Sequence, residues 1–430
     1  MEWWEITGIK RKTTLLIAKA EKKVAGQHRE IDANALHNQA KVLESFKSEK
    51  ISEDCFHSNE GYGYHDRGRD KLENLFSRIF NGEDSIVRPH FVSGTHTLFT
   101  CLRGLLRPGE RLLSLSGMPY DTLRRAIIGP EETDQGSYSG KNISSLREWN
   151  ISFAQVETAK VLQLENYKDL ITLLKAPTKV VFIQRSRGYN PFRQALTVSE
   201  IARLAAIVRR YNRDAIILVD NCYGEFVERE EPLAGGGADL IAGSLIKNPG
   251  GGLAPAGGYI TGRKKYISLI SEAFSAPGLG KDLGAFIQNK RLYFQGLFMA
   301  PQLVAESLKG AVTIAAALEE AGYSVSPRYD EKRGDLVQTV RLKNKEELEL
   351  FCSAVQQASP VNAHFQPVAG ATPGYADPLY MAAGTFVQGS SSEFSADAPL
   401  REPYTLYIQG GLSYNHVILG LACLLDVIIN

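Results

Sequence analysis

Six short apolar runs constrain this chain more than any other feature. They read "RPHFVSG", "RLLSLSG", "ISFAQV", "KVVFIQ", "AIILVDN" and "DLIAGSL". A strand exposed on one face alternates apolar with polar residues, whereas a strand buried on both faces stays apolar throughout. These runs follow the second pattern. Between them, "THTLFTCLRGLL" and "VSEIARLAAIVRRYN" carry apolar residues at three- and four-residue spacing, the period of an amphipathic helix. Buried strands alternating with helices predict an α/β domain around a mostly parallel sheet, over roughly residues 85–262.

The flanks have a different texture. "KTTLLIAKAEKKVAGQ" and "IDANALHNQAKVLESFKSEKI" predict helix across residues 12–50. "HSNEGYGYHDRG" interrupts with three glycines and two tyrosines, and a helix follows from Asp70 to the glycine at position 82. Beyond about residue 300 come a long amphipathic helix "QLVAESLKGAVTIAAALEEAG", a strand "DLVQTVRL", a helix "KEELELFCSAVQQASP", a strand "YTLYIQGG" and an apolar helix "SYNHVILGLACLLDVII". "GSSSEFSADAPLREP" reads as a loop. The expected division is an N-terminal helical arm and interface segment (1–84), a large α/β domain (85–298) and a smaller C-terminal α+β domain (299–430).

Composition excludes several classes. With 430 residues, 43% hydrophobic and 23% charged, the chain has material for a core in each of two domains. A net charge of +1 gives no reason to expect a nucleic-acid partner. No stretch approaches the roughly 18 uncharged apolar residues of a transmembrane helix, and the N-terminus lacks a secretory h-region. The five cysteines are scattered without a CxxC pair, which predicts a reducing, cytoplasmic setting and no structural zinc. The eight histidines do not cluster at ligand spacing, so no metal is expected.

The chemistry gathers at strand ends. "AIILVDN" ends in Asp220, which places a carboxylate at the carboxyl edge of the sheet, where α/β folds bind ligands. In "AGSLIKNPGGG", Lys247 follows an apolar strand and precedes a cluster of glycines. A desolvated lysine is a usable nucleophile or base. On spacing alone the acid and amine equally make a salt bridge. In "FVSGTHTLFTCL" the strand passes through Ser93, Gly94 and Thr95 into a helix, and helix-start amides hold phosphate. Together these features describe one ligand: a phosphate, an aldehyde for an amine and a ring nitrogen for a carboxylate. That ligand is pyridoxal 5'-phosphate.

The motifs "VDNCYGEFVE", "AGSLIKNPGGG", "GYGYHDRGRDKLE", "SGTHTLF" and "GMPYDTL" resemble the pyridoxal-phosphate proteins related to methionine gamma-lyase, often labelled cystathionine beta-lyases involved in aluminium resistance. The resemblance spans roughly residues 55–425. It implies the fold-type I, aspartate-aminotransferase-like architecture, with active sites shared across a homodimer and a homotetramer as a further option. It implies that Lys247 holds the cofactor as a Schiff base and shuttles protons, while Asp220 keeps the pyridine nitrogen protonated. Ser244, Gly94 and Thr95 then bind phosphate, and Tyr120 stacks on the ring and assists the leaving group. In related lyases a hydroxyl residue also directly precedes the lysine; here Ile246 stands there. "GYGYHDRGRD" resembles the segment that reaches the neighbouring subunit, through Tyr62 or Tyr64 and Arg67 or Arg69.

A substrate carboxylate calls for an arginine fork. Relatives carry it on a C-terminal strand, but "LYIQGGLS" has none. Arg401, just upstream, is the expected substitute, with Arg185 in "FIQRSRGY" as the other candidate. The function this implies is elimination at Cβ or Cγ of a sulfur amino acid such as cystathionine or methionine. The alternatives are elimination or replacement of a non-sulfur group, and a scaffold without lyase activity.

Overall fold

The structure is a computed structural model and describes residues 2–130, 144–163 and 168–429. Seven strands form the larger sheet: β1 (Asp84–Arg88), β2 (Arg111–Ser114), β3 (Ser152–Gln155), β4 (Val180–Gln184), β5 (Ile216–Asp220), β6 (Leu240–Ser244) and β7 (Gly258–Gly262). Their spatial order is β1-β7-β6-β5-β4-β2-β3. The block from β6 to β3 is parallel, and β7 and β1 pair antiparallel at one side. Burial of both faces explains the unbroken apolar runs of β4, β5 and β6; the run "ISFAQV" departs from that expectation, because β3 lies at the sheet edge with Ser152 and Gln155 exposed and Phe153 and Ala154 only half-buried. Val181, Ile183, Ile217 and Val219 enter one core, while Val180, Phe182, Ile216 and Leu218 enter the other. Successive side chains on a strand point to opposite faces, so both sets must be apolar.

The smaller sheet is antiparallel and comprises β8 (Ser324–Ser326), β9 (Gln338–Arg341), β10 (Leu379–Ala382), β11 (Ser395–Pro399) and β12 (Thr405–Gln409), in the order β10-β11-β12-β9-β8. Helices Lys345–Gln357 and Tyr414–Ile428 bring Leu348, Phe351, Leu421 and Leu425 into its core.

Four further expectations change. "RPHFVSG" is not a strand: β1 ends at Arg88, where Pro89 removes a ladder donor. β7 was not expected, because its terminal glycines hide it. A Cβ on Gly258 would lie 2.0 Å from Thr97 Oγ1, so the strand gives up side chains to let helix Gly94–Leu105 close on the sheet. The expected loop "GSSSEFSADAPLREP" contains β11, an interior strand built from small and polar residues. Finally, helix Lys290–Glu320 runs unbroken through the expected boundary at 298/299 and joins the two domains. The N-terminal residues Arg11–Ser48 form one helix, with Ile17, Ala20 and Val24 in the small-domain core and Val42 in the large-domain core.

Candidate active site

Because β4, β5 and β6 are parallel, their carboxyl ends meet at one edge. β5 delivers Asp220 there and β6 delivers Ser244. Three residues past Ser244, the chain turns back at Lys247 into a short helical turn, Asn248–Gly250, that starts with Pro249 at its second position. The glycines after Lys247 serve this turn. A Cβ on Gly251 would lie 2.1 Å from the carbonyl oxygen of Gly296, so only glycine lets the loop lie against helix Lys290–Glu320. The lysine is thereby fixed from behind, and its side chain points to the sheet edge.

Lys247, Asp220, Ser244, Gly94, Thr95 and Tyr120 line one cavity of about 580 Å³. Lys247 Nζ donates to Gly389 O at 2.9 Å. Burial lowers its affinity for a proton, partly offset by Cys222, Asp397, Glu225 and Asp220. Asp220 is buried, and its Oδ1 accepts the Cys222 amide at 3.2 Å. Desolvation raises its pKa to about 6, against the opposing pull of that hydrogen bond and of Lys247. A bound cation at its side would restore its charge.

Helix Gly94–Leu105 begins at the cavity. Its cap Ser93 already accepts the His96 amide at 3.1 Å. Among the described residues, the Gly94 and Thr95 amides donate to nothing, and they face the cavity at the positive end of the helix. A Cβ on Gly94 would project to 3.4 Å from Ser244 Cβ and fill part of this cradle. Tyr120 immediately precedes helix Asp121–Ile128; its amide donates to Gln184 Oε1 at 2.9 Å and its hydroxyl lies 3.1 Å from Thr95 Oγ1. Burial, reinforced by Asp220, pushes the phenol pKa well up, so Tyr120 keeps its proton. The orphan amides, the buried carboxylate and the desolvated amine fit pyridoxal phosphate at its three polar ends.

The two expected carboxylate-binding arginines lie elsewhere. Arg185 is fully buried and donates to Asn221 Oδ1 at 2.8 Å and to Glu228 Oε1 at 2.8 Å, with Glu231 at 3.5 Å. It does not line the cavity, and two acids supplied more than 40 residues downstream neutralise it. Arg401 is half exposed and binds Asp377 Oδ2 at 2.7 Å and Tyr189 O at 2.9 Å. It lines a small adjoining crevice, not the main cavity.

The segment expected to cross to a neighbour is divided. Tyr62 and Tyr64 are exposed, with ring centroids 5.7 Å apart. Arg67 is exposed and pairs with Asp54. Arg69 is buried and donates to Gly63 O at 2.8 Å, so it braces the tyrosine turn from inside its own chain.

Several lining residues escaped sequence reasoning: Tyr189, Tyr223 and Tyr375 among them. Tyr189 and Tyr223 follow the carboxyl ends of β4 and β5, and that placement was the signal that could have found them. Tyr375 sits in a loop with no such signal. Asp397 of β11 lies behind this wall and accepts the Tyr189 hydroxyl at 2.9 Å and Gln409 Nε2 at 3.0 Å. Among the described residues no cluster of three His, Cys, Asp or Glu side chains could hold a metal, and no helix is long and apolar enough to cross a membrane.

The chain is 44% identical over 399 residues to YnbB of Bacillus subtilis, covering 93% of this chain and 92% of that one. It resembles the crystal structure of a carbon-sulfur lyase involved in aluminium resistance from Clostridium novyi, at 40% identity and a TM-score of 0.87, covering 99% of this chain and 97% of that chain. At the level of fold alone it is similar to the pyridoxal-5'-phosphate-dependent protein YhfS of Escherichia coli, with 17% identity, a TM-score of 0.58 and coverage of 92% and 96%. The profile of the methionine gamma-lyase family matches residues 13–429, and the chain belongs to that family.

Proposed function

We propose that this protein is a pyridoxal-phosphate-dependent lyase that eliminates a sulfur group from Cβ or Cγ of an amino acid. The observation that carries the reading is the convergence of one desolvated amine, one buried carboxylate and two unengaged helix-start amides on a single cavity. Pyridoxal phosphate, when bound, supplies the aldehyde and the electron-withdrawing ring.

The chain's own residues do the rest. The Gly94 and Thr95 amides, with the Ser244 hydroxyl, would hold the phosphate. Asp220 would pair with the cofactor's ring nitrogen and hold a proton there. Lys247 would anchor the cofactor's aldehyde, and its amine would take the proton from the substrate Cα, a role suited to a lysine whose burial disfavours its charge. Tyr120 retains its phenolic proton and donates it to the departing sulfur. The protein works in the cytoplasm as a homodimer whose sites draw on both chains, Tyr62 and Tyr64 being the contributed residues.

The test is a panel of amino acids offered to the cofactor-loaded protein: cystathionine, methionine, cysteine, and O-substituted and halogenated analogues. Release of a 2-oxo acid, ammonia and a thiol from a sulfur substrate is expected. Release only from the non-sulfur substrates would overturn the sulfur assignment. No release from any of them, by a folded and coloured protein, would overturn the lyase reading.

A further inference from the structure

Tyr223 holds a conformation that its side chain disfavours. It is the third residue past the end of β5, and its φ is +70°, in the left-handed region that bulky residues avoid. Glycine would be the unstrained choice. Strain of this kind persists only where surrounding contacts impose it, and here they are many. The Gly224 amide returns to Asn221 O at 2.9 Å, and the Phe226 amide donates to Glu231 Oε1 at 2.8 Å. Asn221 is held in turn by Arg185. A Cβ on Gly224 would come within 2.4 Å of the Arg185 side chain, so the guanidinium is packed directly beneath the turn. Asn248, the residue after Lys247, donates through Nδ2 to Glu225 O at 2.9 Å. The turn bearing Tyr223 and the loop bearing Lys247 are thus one clamped unit.

The clamp sets the Tyr223 ring 5.0 Å, centroid to Nζ, from the Lys247 amine. That is within the range of a cation–π contact. The other groups acting on this amine are the Gly389 carbonyl, which accepts its hydrogen bond at 2.9 Å, Asp220 at the end of β5, Cys222 two residues further on, Glu225 on the same turn, and Asp397 on β11. Each acid has its own partner or task. Glu225 accepts the Tyr259 hydroxyl at 2.7 Å, Asp397 accepts from Tyr189 and Gln409, and Asp220 is assigned to the cofactor ring. A carboxylate in direct contact with Nζ would hold the ammonium strongly and keep it from giving its proton back. An aromatic face favours the cation by less and accepts no proton.

We propose that Tyr223 is a further catalytic residue, its ring face holding the Lys247 ammonium each time that amine takes up a proton. This rests on the reading of Lys247 as the proton carrier. The strained turn then has a purpose: it delivers an aromatic ring to a place the unstrained backbone would not reach.

The test compares Tyr223→Phe, Tyr223→Leu and Tyr223→Gly with the unaltered protein. In the cofactor-free proteins, acylation of Lys247 is followed against pH and quantified on the Lys247 peptide by mass spectrometry. Tyr223→Phe keeps the ring and should keep the Lys247 pKa. Tyr223→Leu loses the ring, destabilises the ammonium, and should lower the pKa by roughly 0.5–1.5 units. Tyr223→Gly should show the same loss with a melting temperature no lower than that of Tyr223→Leu, because glycine relieves the left-handed backbone. In the loaded enzyme, Phe should retain kcat and Leu should lose it. An unshifted Lys247 pKa in folded Tyr223→Leu would overturn the proposal. So would Phe behaving like Leu, which would assign the role to the hydroxyl. The labelling result does not depend on turnover: a shifted pKa in a protein that processes no amino acid would leave the cation–π contact standing and remove the lyase reading alone.

Discussion

Arg401 and Asp377 lie 2.7 Å apart and strap the loop that lines the cavity through Pro373, Gly374 and Tyr375 to the turn that lines it through Tyr189. The second end of the strap is the Tyr189 carbonyl, which the same guanidinium holds at 2.9 Å. Arg401 therefore reaches the site through what it positions. Arg401→Ala and Asp377→Asn should each raise KM by about tenfold, and the double variant should lose no more than either single one, since they break the same strap. If Arg401 bound substrate directly, Asp377→Asn would free it and leave KM unchanged or lower. A double-mutant cycle on KM separates the two.

Asp220 should make the cofactor-free protein pH-sensitive. Its folded pKa of about 6 lies above the usual carboxylate value because the charge is desolvated. A raised carboxylate pKa adds stability below the unfolded value, near 4, that is lost as pH rises through the folded value, near 6. Asp220→Asn removes the buried charge. It should melt higher than the unaltered apoprotein at pH 8, by roughly 1–3 kcal/mol, with the difference closing towards pH 4. Its turnover should fall by orders of magnitude. Equal melting curves at pH 8 would contradict the burial of an ionised carboxylate.

Arg185 should behave as a structural hub. Arg185→Ala leaves Glu228 and Glu231 without their buried partner and removes the support under the Tyr223 turn. A loss of about 3–5 kcal/mol in chemical denaturation is expected. A stable variant with weakened substrate binding alone would return Arg185 to the role first expected of it.

The sharing of sites between chains has its own test. Tyr62 and Tyr64 are exposed on a turn that Arg69 braces from within. Inactive Lys247→Ala subunits mixed with inactive Tyr62→Ala/Tyr64→Ala subunits should regain activity, because the hybrid contains one intact site. Confirmed subunit exchange without recovery would place each site within one chain.

The legible parts of this fold were those where burial leaves a compositional trace. β4, β5 and β6 stand out because both faces enter a core, and their ends led directly to Asp220 and Lys247. β11 left no trace: "SADAP" is buried at every position yet has no β-branched residue, so the strand and its Asp397 read as loop. β7 was hidden by glycines that tertiary packing requires. Arg185 and Arg401 were legible as charges near the site, but their partners, Glu228, Glu231 and Asp377, lie far away in sequence, and charge neutralisation across such distances has no local signature. Tyr223 was quoted in a motif yet carried no meaning until its backbone angle and its distance to Lys247 were known.

Lys247 is the residue on which the proposed chemistry depends, as carrier of the cofactor. The direct measurement is borohydride reduction of the protein after incubation with pyridoxal phosphate, followed by proteolysis and mass mapping of the modified lysine. A single reduced adduct on the peptide containing Lys247 is expected, with loss of both adduct and visible absorbance in a folded Lys247→Ala variant. An adduct on another lysine in the unaltered protein, or colour retained by Lys247→Ala, would contradict that role.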